Sequence, residues 1–303
     1  MHPALLCGSF ALIFVVPPRG QEPAAASRPA ESRITIAGVG LKTPESALWD
    51  PQDDVYYVSN IHGHPTAEDD NGFVAKLSAA GKVLELEWIS GASPAITLHA
   101  PKGMALVGDE LWVADIKVVR VFAKKTRQAL RTIEIPGASF LNDLCATPDG
   151  EVYVSDTGLN AQFGDSGTDA IYRIGKDFKP QLVVRAAGLK PNGLCVSGGT
   201  CAAVTWEGGK LHLGFGKADA ATVVTLPKGQ LDGLERASDG SWWITSWGGS
   251  CVYRVRGSGK EAQVEVLLAD LPQPADLGYD RKRDRLLVPL FGTDTLVIAG
   301  LPK

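Results

Sequence analysis

A β-hairpin unit recurs six times along the 303-residue chain, and this repeat constrains the fold more than any other feature. Each copy holds a short apolar run, a turn of small or polar residues, and a strand rich in Trp, Tyr and Val. The copies are SALWDPQDDVYYVSN (46–60), GMALVGDELWVAD (103–115), DLCATPDGEVYVSD (143–156), GLCVSGGTCAAVTW (193–206), GLERASDGSWWITSW (233–247) and DLGYDRKRDRLLVPLF (276–291). A third strand follows every copy, and a fourth follows five of them. Four strands in each unit of about 40–57 residues predict an all-β fold, a six-bladed β-propeller with antiparallel blades.

The sixth unit reaches the end of the sequence at Lys303 without a fourth strand of its own. An isolated strand, Ile34-Thr35-Ile36, lies near the start of the chain. We expect this N-terminal strand to complete the sixth blade, because ring closure removes exposed strand edges. The sequence therefore predicts one propeller domain over residues 34–303.

The first 33 residues differ in composition from the rest. Residues 4–16, ALLCGSFALIFVV, form an apolar run that is too short for an ordinary membrane span. A Pro-rich stretch of small residues follows, with Ala24-Ala25-Ala26 as a candidate cleavage site. We interpret residues 1–26 as a signal peptide, although no Lys or Arg precedes the apolar run, and residues 27–33 as a linker. The mature chain is then expected to be secreted or periplasmic, with no membrane span.

Composition excludes several classes of partner. The apolar share of 45% is sufficient for a large core, and 30 basic against 34 acidic residues give a net charge of −4, which argues against nucleic-acid binding. The four cysteines beyond the apolar run lack the spacing of a zinc or redox site, so we interpret them as buried thiols. We expect a monomer that acts on a small molecule.

The residues that start the six inner strands are expected to meet at one mouth of the central channel, since these strands all run in the same direction. They are Glu45, Lys102, Asn142, Asn192, Asp232 and Ala275. Taken alone, Asn192-Gly193 and Asp232-Gly233 are also common turn dipeptides. Two carboxylates and two amides at one mouth would be costly to bury without a cation. This all-oxygen set predicts one divalent metal, Ca²⁺ before Mg²⁺, Mn²⁺ or Zn²⁺, and disfavours a structural zinc site.

The same strand starts carry motifs of a known family. PESALW (44–49), ND (142–143), PNGL (191–194) and LDGL (231–234) resemble the senescence-marker-protein, gluconolactonase and luciferin-regenerating-enzyme family and its wider relatives, the paraoxonases and diisopropyl fluorophosphatase. The resemblance covers residues 34–300. It implies that Glu45, Asn142, Asn192 and Asp232 bind one catalytic metal, usually calcium, and that Asp232 also serves as base or nucleophile.

Two positions depart from that resemblance. Gluconolactonase-type members carry a substrate-binding Arg two residues before the first Asn and a Gly after the Asn-Asp pair, whereas this chain has Phe140 and Leu144. The missing Arg argues against sugar-acid lactones, and Phe140 predicts a less polar substrate.

Loops between the second and third strands return to the same mouth of the channel. They supply two histidines, His62 and His64, as alternatives to Asp232 for activating water. We expect a pocket wall made of Phe140, Asp143, Trp206, Trp247 and Phe291, with Asp143 supporting the metal site.

The resulting hypothesis is a Ca²⁺-dependent hydrolase of the lactonase or esterase type. Two alternatives stay open: a non-enzymatic propeller that binds a ligand or protein partner, and a strictosidine-synthase-like condensing enzyme, which would need no metal. The sequence contains neither a Gly-x-Ser-x-Gly elbow, which would indicate a serine nucleophile, nor a Cys/His pair, which would indicate a thiol nucleophile.

Overall fold

The computed structural model describes residues 32–197, 200–215 and 222–301, and the predicted signal peptide lies outside them. Within these residues the chain forms six four-stranded antiparallel sheets arranged as blades, so the predicted six-bladed β-propeller is confirmed. The described residues include no helix long and apolar enough to cross a membrane.

The strand bounds follow the blades in sequence order. Blades 1 to 3 comprise β2 (Pro44–Asp50), β3 (Val55–Asn60), β4 (Phe73–Ser78), β5 (Val83–Ser90); β6 (Pro101–Val107), β7 (Glu110–Asp115), β8 (Val118–Ala123), β9 (Ala129–Glu134); and β10 (Leu141–Ala146), β11 (Val152–Asp156), β12 (Ala170–Ile174), β13 (Pro180–Arg185). Blades 4 to 6 comprise β14 (Pro191–Ser197), β15 (Thr200–Thr205), β16 (Lys210–Leu213), β17 (Thr222–Thr225); β18 (Leu231–Arg236), β19 (Trp242–Ser246), β20 (Cys251–Arg256), β21 (Gln263–Leu268); and β22 (Gly278–Asp280), β23 (Arg285–Leu290), β24 (Thr295–Gly300) with β1 (Arg33–Ile36).

The N-terminal strand completes the sixth blade, as predicted. Strand β1 pairs antiparallel with β24, with Arg33 opposite Ala299 and Ile36 opposite Leu296. This pairing occupies the outer edge of β24, which would otherwise present unpaired backbone groups to solvent.

Apolar residues on facing blades form the core between them. Trp243 in β19 packs edge-on against Tyr279 in β22, with ring centroids 4.6 Å apart, and both belong to one buried cluster shared by blades 5 and 6. A similar cluster joins Leu287 and Ile298 of blade 6 to Tyr56 of blade 1. Burial on both faces explains why the strands contain so many Val, Ile and aromatic residues.

Glycines near the axis let neighbouring inner strands approach closely. A Cβ atom on Gly193 would lie 2.3 Å from the carbonyl oxygen of Asp232, and one on Gly233 would lie 2.4 Å from the backbone nitrogen of Leu277. The turn interpretation of Asn192-Gly193 and Asp232-Gly233 is therefore wrong: both pairs lie inside strands, and their glycines are needed for blade-to-blade contact.

Candidate functional site

A β-bulge places each polar anchor at the mouth of the channel. In β10 the ladder jumps from Leu141 to Leu144, so that Asn142 and Asp143 lie opposite one residue of β11. Four other inner strands have the same irregularity, between Pro44 and Ser46, Pro101 and Met104, Pro191 and Leu194, and Leu231 and Leu234. A bulge redirects side chains and leaves ladder groups unpaired.

Hydroxyl side chains from the second strand satisfy amides freed by three of the bulges. The backbone N–H of Ser46 donates to Ser59 Oγ at 2.9 Å, that of Asp143 to Ser155 Oγ at 2.9 Å, and that of Gly233 to Thr245 Oγ1 at 2.7 Å. Sequence reasoning missed these hydroxyls, although a Ser or Thr at the equivalent place in three blades was a visible signal. They fix the backbone from which the site side chains project.

The structure brings the four predicted ligands, Glu45, Asn142, Asn192 and Asp232, into one cavity of about 290 Å³. All four side chains are buried. The other lining residues are Ile61, Pro65, Lys102, Phe140, Thr157, Leu159, Phe163, Trp206, Trp247 and Phe291. The four anchors thus lie together in a mainly apolar pocket, the setting in which few polar groups determine what binds.

Three oxygens in this cavity are buried and lack a hydrogen-bond partner: Glu45 Oε2, Asn142 Oδ1 and Asp232 Oδ1. Buried acceptors are almost always paired, so three such atoms at one place need a partner of another kind. A hard divalent cation fits this donor set, because carboxylate and amide oxygens are the ligands that Ca²⁺ and Mg²⁺ prefer. The described residues contain no group of three or more His, Cys, Asp or Glu suited to a metal, so the two amides are essential to this set.

A hydrogen-bond relay orients the amide of Asn142. Its Nδ2 donates to Thr157 Oγ1 at 3.1 Å, and the same hydroxyl donates to the carbonyl of Pro191 at 2.8 Å. Because Thr157 uses its proton on Pro191, it accepts from the amide nitrogen, which leaves Asn142 Oδ1 free. Thr157 is thus a positioning residue that the sequence did not single out.

The two carboxylates of the cavity are electrostatically destabilised. Burial raises the pKa of Glu45 well above its usual range, and the charges of Asp232 and Asp276 raise it further, whereas Lys102 lowers it. Burial and Asp276 likewise raise the pKa of Asp232, with the nearby Trp247 and Asn192 acting in the opposite direction. The Trp247 indole N–H nevertheless makes no well-formed hydrogen bond. A bound cation would favour the ionised form of both carboxyls.

Lys102 is a site residue to which the sequence assigned no role. Its Nζ donates to the carbonyls of Pro65 at 3.0 Å and Ala100 at 3.2 Å, and lies 4.5 Å from the ring centroid of Phe140. Burial lowers the pKa of Lys102 to about 8, against the opposing effect of Glu45 and Asp115. The cavity thus contains the ammonium group of Lys102 as well as the carboxyl groups of Glu45 and Asp232.

An aromatic wall faces the polar anchors. Trp206 and Trp247 pack edge to face with centroids 5.2 Å apart, and Phe291 lies 5.0 Å from Trp247. Phe140 also lines the cavity, and its ring centroid lies 6.5 Å from that of Phe163. Four of the five residues predicted for the pocket wall therefore line it, and Phe163 is an addition that the sequence did not reveal.

The fifth, Asp143, lies outside this cavity. Its carboxylate accepts the backbone N–H groups of Leu194 and Leu144, each at 2.6 Å, and lines a separate cavity of about 310 Å³ further along the channel. Its contacts join the inner strands of blades 3 and 4. Asp115 and Asp156, the last residues of β7 and β11, likewise accept backbone N–H groups just ahead of the inner strands of their blades, and neither lines the pocket.

The two histidines lie on the exposed rim and not among the lining residues. His62 Nδ1 lies 3.2 Å from the carbonyl of Asn71, and His64 Nδ1 lies 3.0 Å from Thr66 Oγ1. The His64 ring packs 5.3 Å from Phe163, which lines the cavity. Among the three candidates for activating water, only Asp232 is placed inside the pocket.

We expect a carboxyl beneath the pocket, that of Asp276, to make stability depend on pH. Burial raises the pKa of Asp276 from 3.8 to about 7, while a hydrogen bond from Ser46 Oγ opposes the shift. Because the folded pKa exceeds the unfolded one, this group favours folding at low pH, and that contribution is lost as pH rises toward about 7. Each pKa unit corresponds to about 1.4 kcal/mol, so the loss is at most about 4 kcal/mol.

We therefore expect Asp276→Asn to reduce the loss of unfolding free energy with rising pH, measured in chelator-containing buffer. Urea unfolding at pH 5 and pH 8 should show a smaller difference in unfolding free energy for the variant than for the wild type. Asp177→Asn, on the exposed surface, serves as the control and should retain the wild-type difference. An equal difference in Asp276→Asn would show that this carboxyl does not carry the pH dependence.

No protein-family model and no curated protein matches the chain. Solved structures do. A candidate gluconolactonase superposes with a TM-score of 0.68 at 17% identity, covering 90% of this chain and 93% of that one. A gluconolactonase from Xanthomonas campestris gives 0.64 at 17% identity, covering 86% and 87%. A virginiamycin B lyase from Staphylococcus aureus, solved with quinupristin, gives 0.61 at 12% identity, covering 90% and 100%.

At these identities the likeness establishes architecture. Because gluconolactonases and a lyase both superpose over most of their length, the fold alone does not choose between their reactions. The chain has the six-bladed β-propeller fold of solved gluconolactonase structures.

Proposed function

We propose that this protein is a metal-dependent hydrolase of the lactonase or esterase type, with Ca²⁺ as its metal. The observation that carries the proposal is the convergence of Glu45 Oε2, Asn142 Oδ1 and Asp232 Oδ1, three buried oxygens without partners, in one pocket. The gluconolactonase neighbours support the same class of reaction.

Glu45, Asn142, Asn192 and Asp232 would hold the metal. When bound, such a cation polarises an ester or lactone carbonyl and stabilises the charge that develops on its oxygen. Asp232 is the residue we assign to receive the proton of the attacking water, because it alone among the predicted bases lines the pocket. Thr157 accepts a hydrogen bond from Asn142 Nδ2 and so leaves Asn142 Oδ1 available to the metal.

The lining supports one class of substrate over another. Trp206, Trp247, Phe291 and Phe140 offer apolar surface, and a cavity of about 290 Å³ suits a small acyl compound. We infer an ester or lactone with an apolar or aromatic body rather than a sugar-acid lactone, whose many hydroxyls would lose their hydrogen bonds against this wall.

A substrate panel tests the proposal. Purified protein should hydrolyse aryl esters or aromatic and alkyl lactones with added CaCl₂, and lose that activity in excess chelator. Glucono-1,5-lactone is the comparison substrate and should be turned over at least tenfold less efficiently, since one unpaired polar group is worth roughly that factor. Calcium binding without turnover of any panel member would instead favour a non-enzymatic binding protein.

A further inference from the structure

The described residues include three buried lysines, and one of them has no carboxylate partner. Lys124 pairs with Asp50 at 2.6 Å, and Lys190 pairs with Asp165 at 2.5 Å and Asp169 at 3.0 Å. Within the described residues Lys102 has no carboxylate oxygen within 4.0 Å, although its exposed fraction is 1%. The unpaired lysine is also the one that lines the pocket.

One N–H bond of the Lys102 ammonium group has no acceptor among the described residues. It has three N–H bonds, of which two point to the carbonyls of Pro65 and Ala100. For the third, no acceptor is found among the described residues. Phe140, 4.5 Å away, stabilises the cation through its ring face but accepts no conventional hydrogen bond. An oxygen entering the pocket would complete the coordination.

The balance of charges in the pocket indicates whether the ligand group that carries this oxygen is charged. The charged residues that line the pocket are Glu45, Asp232 and Lys102. A divalent cation held by the two carboxylates would offset their charges, and Asp115, whose charge also acts on Lys102, is already paired with Arg120 at 3.0 Å. Lys102 would therefore leave one positive charge in excess. A buried charge without a counter-ion is costly, and a ligand carrying one negative charge removes that cost.

We propose that Lys102 is the specificity-determining residue of this pocket and binds a carboxylate on the substrate, which defines the substrate class as carboxylate-bearing esters or lactones with an aromatic or aliphatic body. The aromatic side chains Trp206, Trp247 and Phe291 contact that body, while Lys102 fixes the charged end. This inference rests on the proposed function for the charge balance, but it concerns a different residue and a different bond.

Calorimetric binding of two matched probes tests the proposal at pH 7 with saturating CaCl₂. The probes are 3-phenylpropionate and its neutral isostere 3-phenylpropionamide. The wild type should bind the carboxylate about tenfold to a hundredfold more tightly than the amide, as expected for a hydrogen bond to a charged group. Lys102→Met and Lys102→Gln should bind the two probes equally. Gln retains N–H donors for the carbonyls without the charge, and thermal unfolding verifies that each variant is folded.

Lys117→Met is the matched control, because Lys117 lies in the β7–β8 loop but is exposed and pairs with Glu68 at 3.2 Å. It should keep the wild-type preference. Equal binding of the two probes by the wild type would overturn the proposal, even where neither Lys102 variant folds. So would a preference that persists in a folded Lys102 variant, since the metal would then be the anion site.

Failure of the proposed function gives a different pattern. If the protein neither binds calcium nor hydrolyses any substrate, but still shows a Lys102-dependent preference for the carboxylate probe, the hydrolase proposal is refuted and the anion site is retained. Hydrolysis with calcium but without that preference would refute the anion site alone.

Discussion

Asp232→Asn should abolish stabilisation by calcium and reduce the rate of hydrolysis by about a hundredfold or more, the contribution of a positioned general base. The substitution removes one of the two carboxylates in the pocket and with it the group assigned to accept the proton from water. A wild-type protein at a calcium concentration 100 times its Kd gains about 2.7 kcal/mol of stability, whereas the variant should gain almost none. Thermal unfolding with and without CaCl₂, together with initial rates on the best aryl ester, measures both effects.

In excess chelator the same substitution should stabilise the folded protein instead of weakening it. Burial and the charge of Asp276 raise the pKa of Asp232, so its ionised form destabilises the folded state at pH 8 when no cation is present. The amide side chain of the Asp232→Asn variant carries no charge, and the variant should therefore unfold at a higher temperature than the wild type in chelator. Asp177→Asn on the exposed surface controls for the change of side-chain chemistry. A variant that still responds to calcium like the wild type would contradict the assignment of Asp232 as a ligand.

Gly233→Ala should strongly destabilise the propeller. A Cβ atom there would lie 2.4 Å from the backbone nitrogen of Leu277 and 2.8 Å from Asp276 Cα. Backbone atoms have no rotamer into which to move, so the inner strands of blades 5 and 6 would have to separate. We expect a loss of about 3 kcal/mol, at the upper end of the range for overpacking. The melting temperature should fall by roughly 10 °C.

Gly175→Ala provides the internal comparison. A Cβ atom at Gly175 would meet only Asp177 Oδ1, at 3.4 Å, which is ordinary van der Waals contact. Its unfolding free energy should change by about 0.5 kcal/mol or less, as for other surface positions. If the two variants unfold at the same temperature, close approach at the axis is not the reason for glycine at position 233.

Repeated local pattern was enough to predict the architecture. Each hairpin is specified by an apolar run, a turn and a second strand within about 15 residues, and six copies in sequence permit few arrangements other than a closed ring. The closing strand was predictable for the same reason, because one unit lacked a strand and Ile34-Thr35-Ile36 had no other partner. The phase of the repeat then placed Glu45, Asn142, Asn192 and Asp232 at one mouth.

The chemistry of that mouth was less accessible from the sequence. Asn142 and Asp143 are adjacent in the chain, yet a bulge directs one into the pocket and the other toward Leu194, 51 residues further on. A bulge forms where neighbouring blades and second-strand hydroxyls accommodate it, so the alternation of residues along β10 does not reveal it.

The sequence by itself determined the number of blades, the closure of the ring and the four oxygen-bearing positions, because these depend on contacts within single hairpins and on their repetition. Only the tertiary structure decided which oxygens lack partners, that the glycines at 193 and 233 permit contact between blades, and that Lys102 faces the pocket without a carboxylate. These properties arise between blades: Lys102 meets the carbonyl of Pro65 from 37 residues away. Hydrophobic periodicity reports burial within a strand, whereas the partner of a buried polar atom is set by the packing of one blade against the next.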